Sequence, residues 1–479
     1  MKRIFLSILT VILAGSLSVA TADSVDDAVA AARKSPRNVG LNRAAADALS
    51  EAGRRAEAIP YYLKSGNAGN LRAAEILFYL YRFDEARDYL EKYLEKRSKA
   101  DLEKEPEVPF SSPDGEPQRL SDYLAGRIDL GRSMLDRVEK IQIIDSVNVP
   151  SERLFEFIRL ARDAGRLLGE AATSRVASDR MLDSLGMSYL NAPSYLTERG
   201  DELYWTATDE SGAASLFESS RLSDGLWDTP LKLFDYSSLF GNSSGQSIVS
   251  PFLMPDGVTL YFAADGDDSL GGLDIFISRR DGAGDFLQPS NIGMPYNSPA
   301  NDYMYAVDET TGAGWWASDR SGLRDSVTIY TFVPQELRIN YDVDTPGLAD
   351  YAAVTSIALT QPSGADYSAL RRRLQSLERN GAGLGDGGSV NDFDFALPDG
   401  RVLHRLSDFR SSMARASMGH LLKARKEYER EVAELQSLRE RYGRGDRSVA
   451  SEILRRENRL EQSRADLLEL SNEVSANEQ

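Results

Sequence analysis

Residues Ser250 to Gly293 read SPFLMPDGVTLYFAADGDDSLGGLDIFISRRDGAGDFLQPSNIG, and this stretch decides how the chain is read. Val258 to Ala263 and Ile275 to Ser278 are β-branched and aromatic runs, too short for helices. Pro255-Asp256-Gly257 turns the chain ahead of the first run, because Pro holds φ at about −65° and Gly tolerates a positive φ. Asp265 to Gly272 is the loop between the two runs. The stretch is a set of short strands divided by tight turns.

The plan recurs on both sides. Ala192 to Leu233 carries Pro193, the turn Arg199-Gly200-Asp201, Leu203-Tyr204-Trp205, a run from Leu216 to Arg221, then Trp227 and Pro230. The pairs Leu203/Leu260, Tyr204/Tyr261, Arg221/Arg279 and Pro230/Pro289 lie 57 to 59 residues apart. A third copy runs from Asn301 to Pro334, with Trp315-Trp316-Ala317-Ser318-Asp319 standing where Tyr261 to Asp265 stand in the second. Repeats of this length, each of several short strands, are the pattern of propeller blades. At roughly 50 residues per blade, residues 141–334 make about four, the first drawn from Arg153 to Leu190. Ile141 to Val149 is β-rich with no hairpin partner beside it. It is predicted to complete the last blade next to Tyr330, which removes an exposed sheet edge.

The second copy resembles the WD40-like repeat of the TolB-like or PD40 propellers of Gram-negative envelopes. The residues that carry the resemblance are Ser250-Pro251, Asp256-Gly257, Leu260 to Ala264, Gly271 to Phe276 and Pro289 to Gly293. The other two copies match more loosely, and the three cover about a third of the chain. The resemblance implies a propeller that binds rather than catalyses. Related proteins often end in a peptidoglycan-binding OmpA-like domain, and no such sequence is recognisable here.

The first residues read as a cleaved export leader, 1–22. Lys2-Arg3 precede the apolar run Ile4 to Ala14, and Ala20-Thr21-Ala22 fits a cleavage site. The run is too short to span a bilayer. A periplasmic protein is expected, not membrane-spanning, with any outer-membrane association made through partners. Losing Lys2 and Arg3 takes the formal charge from −18 to −20. That balance, with no basic run, argues against nucleic acid and anionic lipid as partners. The absence of Cys excludes disulfides, thiolate metal sites and an acylated-Cys anchor.

Helical sequence flanks the repeats, giving a multidomain α+β chain. Residues 23–104 read as a tetratricopeptide-like helical repeat. Arg54-x-Ala56-Glu57-Ala58-x-x-Tyr61 recurs 28 residues later as Arg82-Phe83-Asp84-Glu85-Ala86-x-x-Tyr89, with Gly66 to Asn70 breaking the helices between. Residues 105–140 hold a Pro-rich linker and a helix from Leu120 to Glu139, and residues 141–338 are the propeller. Residues 339–408 carry two short helices, the Gly-rich loop Gly381 to Ser389, and a hairpin of Phe393 to Leu397 with Val402-Leu403. In residues 409–479 apolar positions step by threes and fours from Leu421 to Tyr442 and from Val449 to Val474, with Gly443-Arg444-Gly445 between. The expectation is an antiparallel coiled-coil hairpin whose Tyr428, Leu435, Leu438, Leu460, Leu467 and Leu470 meet one another.

The search for chemistry narrows quickly. His404 and His420 are the two histidines, both outside residues 141–338, so a Ser-His-Asp triad or a His-rich metal site within the repeats is excluded. Asp265-x-Asp267-x-Ser269-x-Gly271 approaches a calcium loop, but Leu270 stands where the turn requires Gly and Phe276 where the bidentate Glu belongs. A blade turn explains Gly271 to Asp274 better. Paired carboxylates leave glycoside hydrolysis open as an alternative, although Ser223 to Trp227 is too compressed for a sialidase turn. Candidate binding residues on the propeller rim are Asp265, Asp267, Asp274, Arg279, Arg280, Tyr303, Trp315, Trp316, Asp319 and Arg320. The competing reading is that Ser318-Asp319-Arg320 and Ser278-Arg279-Arg280 pair with acids across neighbouring blades.

The expected function is a non-enzymatic scaffold or adaptor that binds envelope proteins through its repeats and helices, with self-association through the C-terminal hairpin. No cofactor is expected. The alternative is a propeller that binds an envelope glycan or peptidoglycan fragment through Tyr303, Tyr305, Trp315 or Trp316. Adjacent Trp315 and Trp316 must face opposite sides of their strand.

Overall fold

The structure is a computed structural model describing residues 22–108, 117–151, 154, 157–169, 187–189, 192–209, 214–222, 227–235, 247–266, 268–322, 325–381, 395–397, 402–403, 405–443 and 446–478. It mixes helices with small antiparallel sheets and divides into two compact units: Met1–Tyr195, Tyr204–Phe217 and Lys232–Leu377 form the first, and Leu196–Leu203, Glu218–Leu231 and Glu378–Gln479 the second. The expected leader lies outside the described residues except for Ala22, which begins α1.

The first unit opens with helices α1 (Ala22–Lys34), α2 (Val39–Glu51), α3 (Arg55–Tyr62), α4 (Asn67–Tyr79), α5 (Phe83–Glu95), α6 (Lys99–Lys104) and α7 (Leu120–Leu135). From α1 to α5 each helix packs on the next, and α7 packs on α5. The 28-residue repeat is structural as well as sequential. Arg54 and Arg82 stand at the N-caps of α3 and α5, each gripping the carboxylate three residues on, Glu57 or Glu85, with two hydrogen bonds. Ala58 and Ala86 are fully buried, where a larger side chain would hold the helices apart. The break expected over Gly66 to Asn70 narrows to Gly66. Its φ is +92°, and Asn67 already starts α4.

A two-residue ribbon pairs β1 (Glu107–Val108) with β2 (Gln118–Arg119) in the expected linker. Then comes β3 (Gln142–Pro150). The first repeat copy forms β6 (Ser194–Leu196), β7 (Glu202–Asp209), β8 (Ala214–Ser220) and β9 (Leu231–Asp235); β4 (Arg166–Leu168) adds beside β6 and β5 (Met187–Tyr189) beside β7. The second copy forms the sheet β10 (Ile248–Leu253), β11 (Thr259–Ala264), β12 (Asp274–Arg279) and β13 (Ser290–Asn291) in that order. The third forms β14 (Asp302–Asp308), β15 (Ala313–Ser318) and β16 (Ser326–Val333), and β3 is its fourth strand, with Ser146 opposite Tyr330. The pairing expected of Ile141 to Val149 is present.

Each sheet is open, and none closes into a barrel or a propeller. Among the described residues, three blade-sized sheets stand where about four were expected. The stretch Arg153 to Leu190, partly outside those residues, gives only β4 and β5 to the first sheet. Its sequence is rich in Leu, Arg and Ala and lacks a long β-branched run.

All six residues of β10 and of β15 are buried, so both faces of these sheets are covered. Alternation sorts the side chains into two apolar clusters. Phe262, Phe276, Trp315 and Ile329 lie in one; Ala263, Ile275, Trp316 and Phe332 lie in the other. Aromatic contacts join neighbouring sheets: Tyr195 to Phe252 at 4.8 Å, Phe234 to Phe262 at 5.6 Å and Tyr261 to Tyr305 at 4.5 Å. Beyond β16, α8 (Leu348–Ala353) joins the core of the helical layer. Thr360, Gln361 and Arg371 then bond the outward backbone groups of Ile143 and Ile144, guarding the first half of the β3 edge. Arg371 lies on α9 (Ser368–Gly381).

In the second unit, β17 (Phe395–Ala396) pairs with β18 (Val402–Leu403) as the hairpin reading expected; the Gly-rich loop lies outside the described residues. α10 (Ser412–Gly443) and α11 (Ala450–Glu478) form the long hairpin. Leu435, Leu460 and Leu467 are buried, while Tyr428, Leu438 and Leu470 are half-buried. At the open end, Phe395, Leu403 and Phe409 close over Met418, Leu421 and Leu467. Glu478 accepts from the backbone N–H groups of Arg410 and Ser411, covering the start of α10.

Candidate functional site at the helix–sheet junction

The residues singled out in the sequence do not gather around one open cleft. Asp265, Asp274, Asp319 and Arg320 are held around the second and third sheets. The second and third copies use the same device at the end of their second strand. Asp265 accepts the Ser247 N–H at 2.6 Å and returns its own N–H to the Ser247 carbonyl. Asp319 accepts the Asn301 N–H at 2.8 Å and returns its N–H to the Asn301 carbonyl. Asp319 is better supplied, because Asn301 Nδ2 and the Tyr303 hydroxyl also donate to it, at 2.9 and 2.8 Å. Asp265 is half-buried, and desolvation pushes its carboxyl up to about 7 against the Ser247 N–H and the charge of Arg127.

Asp274 shapes the loop between the strands of the second sheet. It accepts from the Leu270 and Gly271 N–H groups at 2.9 and 3.1 Å and from Asn291 Nδ2 at 2.7 Å. Burial, with the nearby Asp302 carboxylate adding to it, raises its carboxyl to about 7. Gly271 and Gly272 lie so close to the Ala300 carbonyl and the Asn301 side chain that a Cβ on either would overlap them. These bonds and close approaches shape the loop from Gly271 to Asp274.

Arg320 is 6 % exposed and reaches Asp302 at 2.8 Å, the Pro295 carbonyl at 2.8 Å and the Tyr296 carbonyl at 2.6 Å. Asp302 in turn accepts the N–H and hydroxyl of Ser298. Burial raises the Asp302 carboxyl, and the Arg320 charge opposes that shift. Arg320 therefore pairs with an acid, but within the third sheet and not across neighbouring sheets as the competing reading expects.

The other candidates scatter. Trp315 and Trp316 lie on opposite faces of β15, as alternation requires, and both are buried in the apolar clusters. Tyr305 is buried too, packed on Tyr261 and Tyr296. Tyr303 is half-buried with its hydroxyl on Asp319. Arg279 is exposed at the end of β12. Arg280 donates to the Tyr204 hydroxyl at 2.8 Å and covers the Phe286 ring at 4.8 Å. Asp267 lies outside the described residues, as does His404.

Arg280, and not Arg279, is the structural counterpart of Arg221. Each follows its strand directly and bridges to an aromatic six residues on, Arg280 to Phe286 and Arg221 to Trp227. The sequence pairing of Arg221 with Arg279 was one residue short, because two adjacent arginines gave no local means of choosing.

Sequence reasoning missed the residues that tie the layers together. Arg127 of α7 donates to the backbone carbonyls of Ser269 and Gly266, and Tyr123 to that of Gly271. Asn297 accepts from the Ile275 N–H and donates to its carbonyl, standing in for a strand partner. Asn301 accepts the Leu273 N–H and so links the second sheet to the third. The Asn in Pro289 to Gly293 was a visible cue, but a helix 140 residues upstream offered none.

No family model matches the chain, and no match was found among curated proteins or solved structures. No helix is long and apolar enough to cross a membrane among the described residues.

Proposed function

We propose that the three sheets are blades of a WD40-like propeller closed by β3, and that the protein is an exported, non-enzymatic scaffold of the cell envelope. The observation that carries this reading is how the polar candidates are used. Asp265, Asp274, Asp302, Asp319 and Arg320 hold backbone groups and one another around the second and third sheets. Groups so engaged do not converge on a reacting atom, as acid-base or nucleophilic catalysis requires. Burial of Trp315, Trp316 and Tyr305 also leaves the glycan reading without its main stacking rings.

The C-terminal hairpin supplies the docking arm of this scaffold. Its far half keeps Leu454 exposed and Ile453 half-buried, apolar surface that a partner or a second copy would cover.

A pull-down from envelope extract with the full chain as bait tests the reading; recovery of neither protein nor glycan partners at low stringency would count against it. Release of reducing sugar from envelope glycans would overturn the non-enzymatic part. Cutting after Arg379 should leave the sheets folded by circular dichroism while abolishing self-association or partner binding. Loss of β-sheet signal would place the hairpin in the core fold instead.

A further inference from the structure

The segment leaving the third sheet, Gln335 to Thr345, reads QELRINYDVDT. It runs antiparallel to Val138 to Lys140. The Lys140 N–H donates to the Ile339 carbonyl at 2.7 Å and the Tyr341 N–H to the Val138 carbonyl at 2.9 Å, with Glu139 opposite Asn340. Polar contacts fasten the segment to the body. Arg338 is pinned by them, donating to the carbonyls of Ile292 and Arg137 at 2.6 and 2.8 Å and to Asn340 Oδ1 at 3.0 Å. Leu337 is 77 %, Ile339 53 % and Val343 59 % exposed, while Tyr341 between them packs on Tyr351 and the helical core. Burial of apolar surface would favour covering the three exposed side chains.

Two further features mark this strap. Because Ile339 and Tyr341 turn their backbone groups toward Val138 and Lys140, Asn340 turns its N–H and C=O the other way. Neither has a hydrogen-bond partner among the described residues, so the strap is an open edge. Glu336, Asp342 and Asp344 are exposed beside these aliphatic residues, and none has an ion-pair partner among the described residues.

We propose that this edge docks an extended segment of a partner protein in which apolar residues alternate with lysine or arginine, added as a further strand. Backbone bonding to Asn340 supplies affinity, Leu337, Ile339 and Val343 receive the apolar side chains, and the three acids select basic neighbours. The same acids argue against the other occupants. A second copy paired antiparallel on this edge would set like charges against one another, and an anionic lipid surface would be repelled. The inference rests on the scaffold reading and names its docking edge.

The test uses the full chain and a short fluorescent peptide of alternating lysine and valine, with a glutamate–valine peptide as control. Anisotropy should show that the basic peptide binds and the acidic one does not. Leu337→Ser with Ile339→Ser should weaken binding by about tenfold, and Glu336→Lys with Asp342→Lys should reverse the preference. Both pairs are exposed, so circular dichroism should be unchanged. Amide exchange across residues 336–344 should slow when the peptide binds. Equal binding to all variants, or protection elsewhere, overturns the proposal, as does a change of native mass caused by the serine variant without peptide. Failure here and failure of the scaffold reading are separable. If the serine variant recovers the same envelope partners as the unaltered chain, the scaffold stands and the strap is not its docking edge.

Discussion

The junction between the second and third sheets and the C-terminal hairpin both hold arginine–carboxylate pairs, in opposite surroundings. Arg320 meets Asp302 at 2.8 Å with the two side chains 6 % and 0 % exposed. Arg456 meets Glu434 at 2.5 Å with exposures of 21 % and 49 %. Distance does not separate them; water does. In the junction each charge relies on its partner because no solvent replaces it, whereas in the hairpin water and salt take over when a partner leaves. Charged residues that look alike in sequence therefore do different jobs, and substitutions should rank by burial.

The largest effect should come from closing the space at the tightest approach in the junction. Gly271→Val places atoms inside the Ala300 backbone, which cannot move without breaking the Asp274 turn. Destabilisation of more than about 4 kcal/mol is expected, seen as a large fall in the thermal midpoint. A midpoint near that of the unaltered chain would show that the two sheets are free to separate.

Next comes Arg320→Met, which leaves Asp302 buried without its counter-charge. A cost of about 3–5 kcal/mol is expected, with part recovered when Asp302→Asn is added, because the pair is coupled. Additive losses in the double variant would break the comparison with the hairpin.

The junction should also respond to pH. Asp265 and Asp274 are raised by burial from the ordinary carboxylate value to about 7. The folded state therefore holds protons there that the unfolded state has released between about pH 4 and pH 7. The stability this confers is complete below the unfolded value and is lost as pH rises through 7. Denaturant midpoints should therefore fall between about pH 4 and pH 7 and level off above it, and the slope should flatten in Asp274→Asn. Arg127 beside Asp265 and Asp302 beside Asp274 set its size. A flat profile would mean that water reaches the junction.

How much of this was legible follows from the range of each interaction. Strand alternation and turn residues are local, so the second and third copies, the switch from Trp315 to Trp316 and the helical periodicity after Leu421 could be read directly. The pairing of β3 with β16 could be inferred from a strand with no neighbour. The expected rim could not be tested by spacing, because a carboxylate reads the same whether it faces solvent or a backbone N–H. Arg127 is the clearest case: nothing around it in α7 tells that it caps carbonyls 139 and 142 residues away. The first expected blade was hard to place because Arg153 to Leu190 has neither strong periodicity nor turn residues at fixed offsets.

The smallest effect should come from the hairpin pair. Arg456 also touches Glu452 at 3.0 Å, one turn earlier, so Arg456→Ala removes two contacts at once. Both carboxylates keep access to water, and the long side chain regains the freedom it gave up to hold them. The unfolding midpoint of Arg456→Ala should therefore stay where it is, at low and at physiological salt alike. The control is Leu467→Ala on the same helix, since Leu467 is 1 % exposed and packed among Phe395, Leu403 and Leu421. That change should cost about 2–5 kcal/mol. If Arg456→Ala proves as damaging as Leu467→Ala, the hairpin is held by its ion pairs after all, and the contrast with the junction fails.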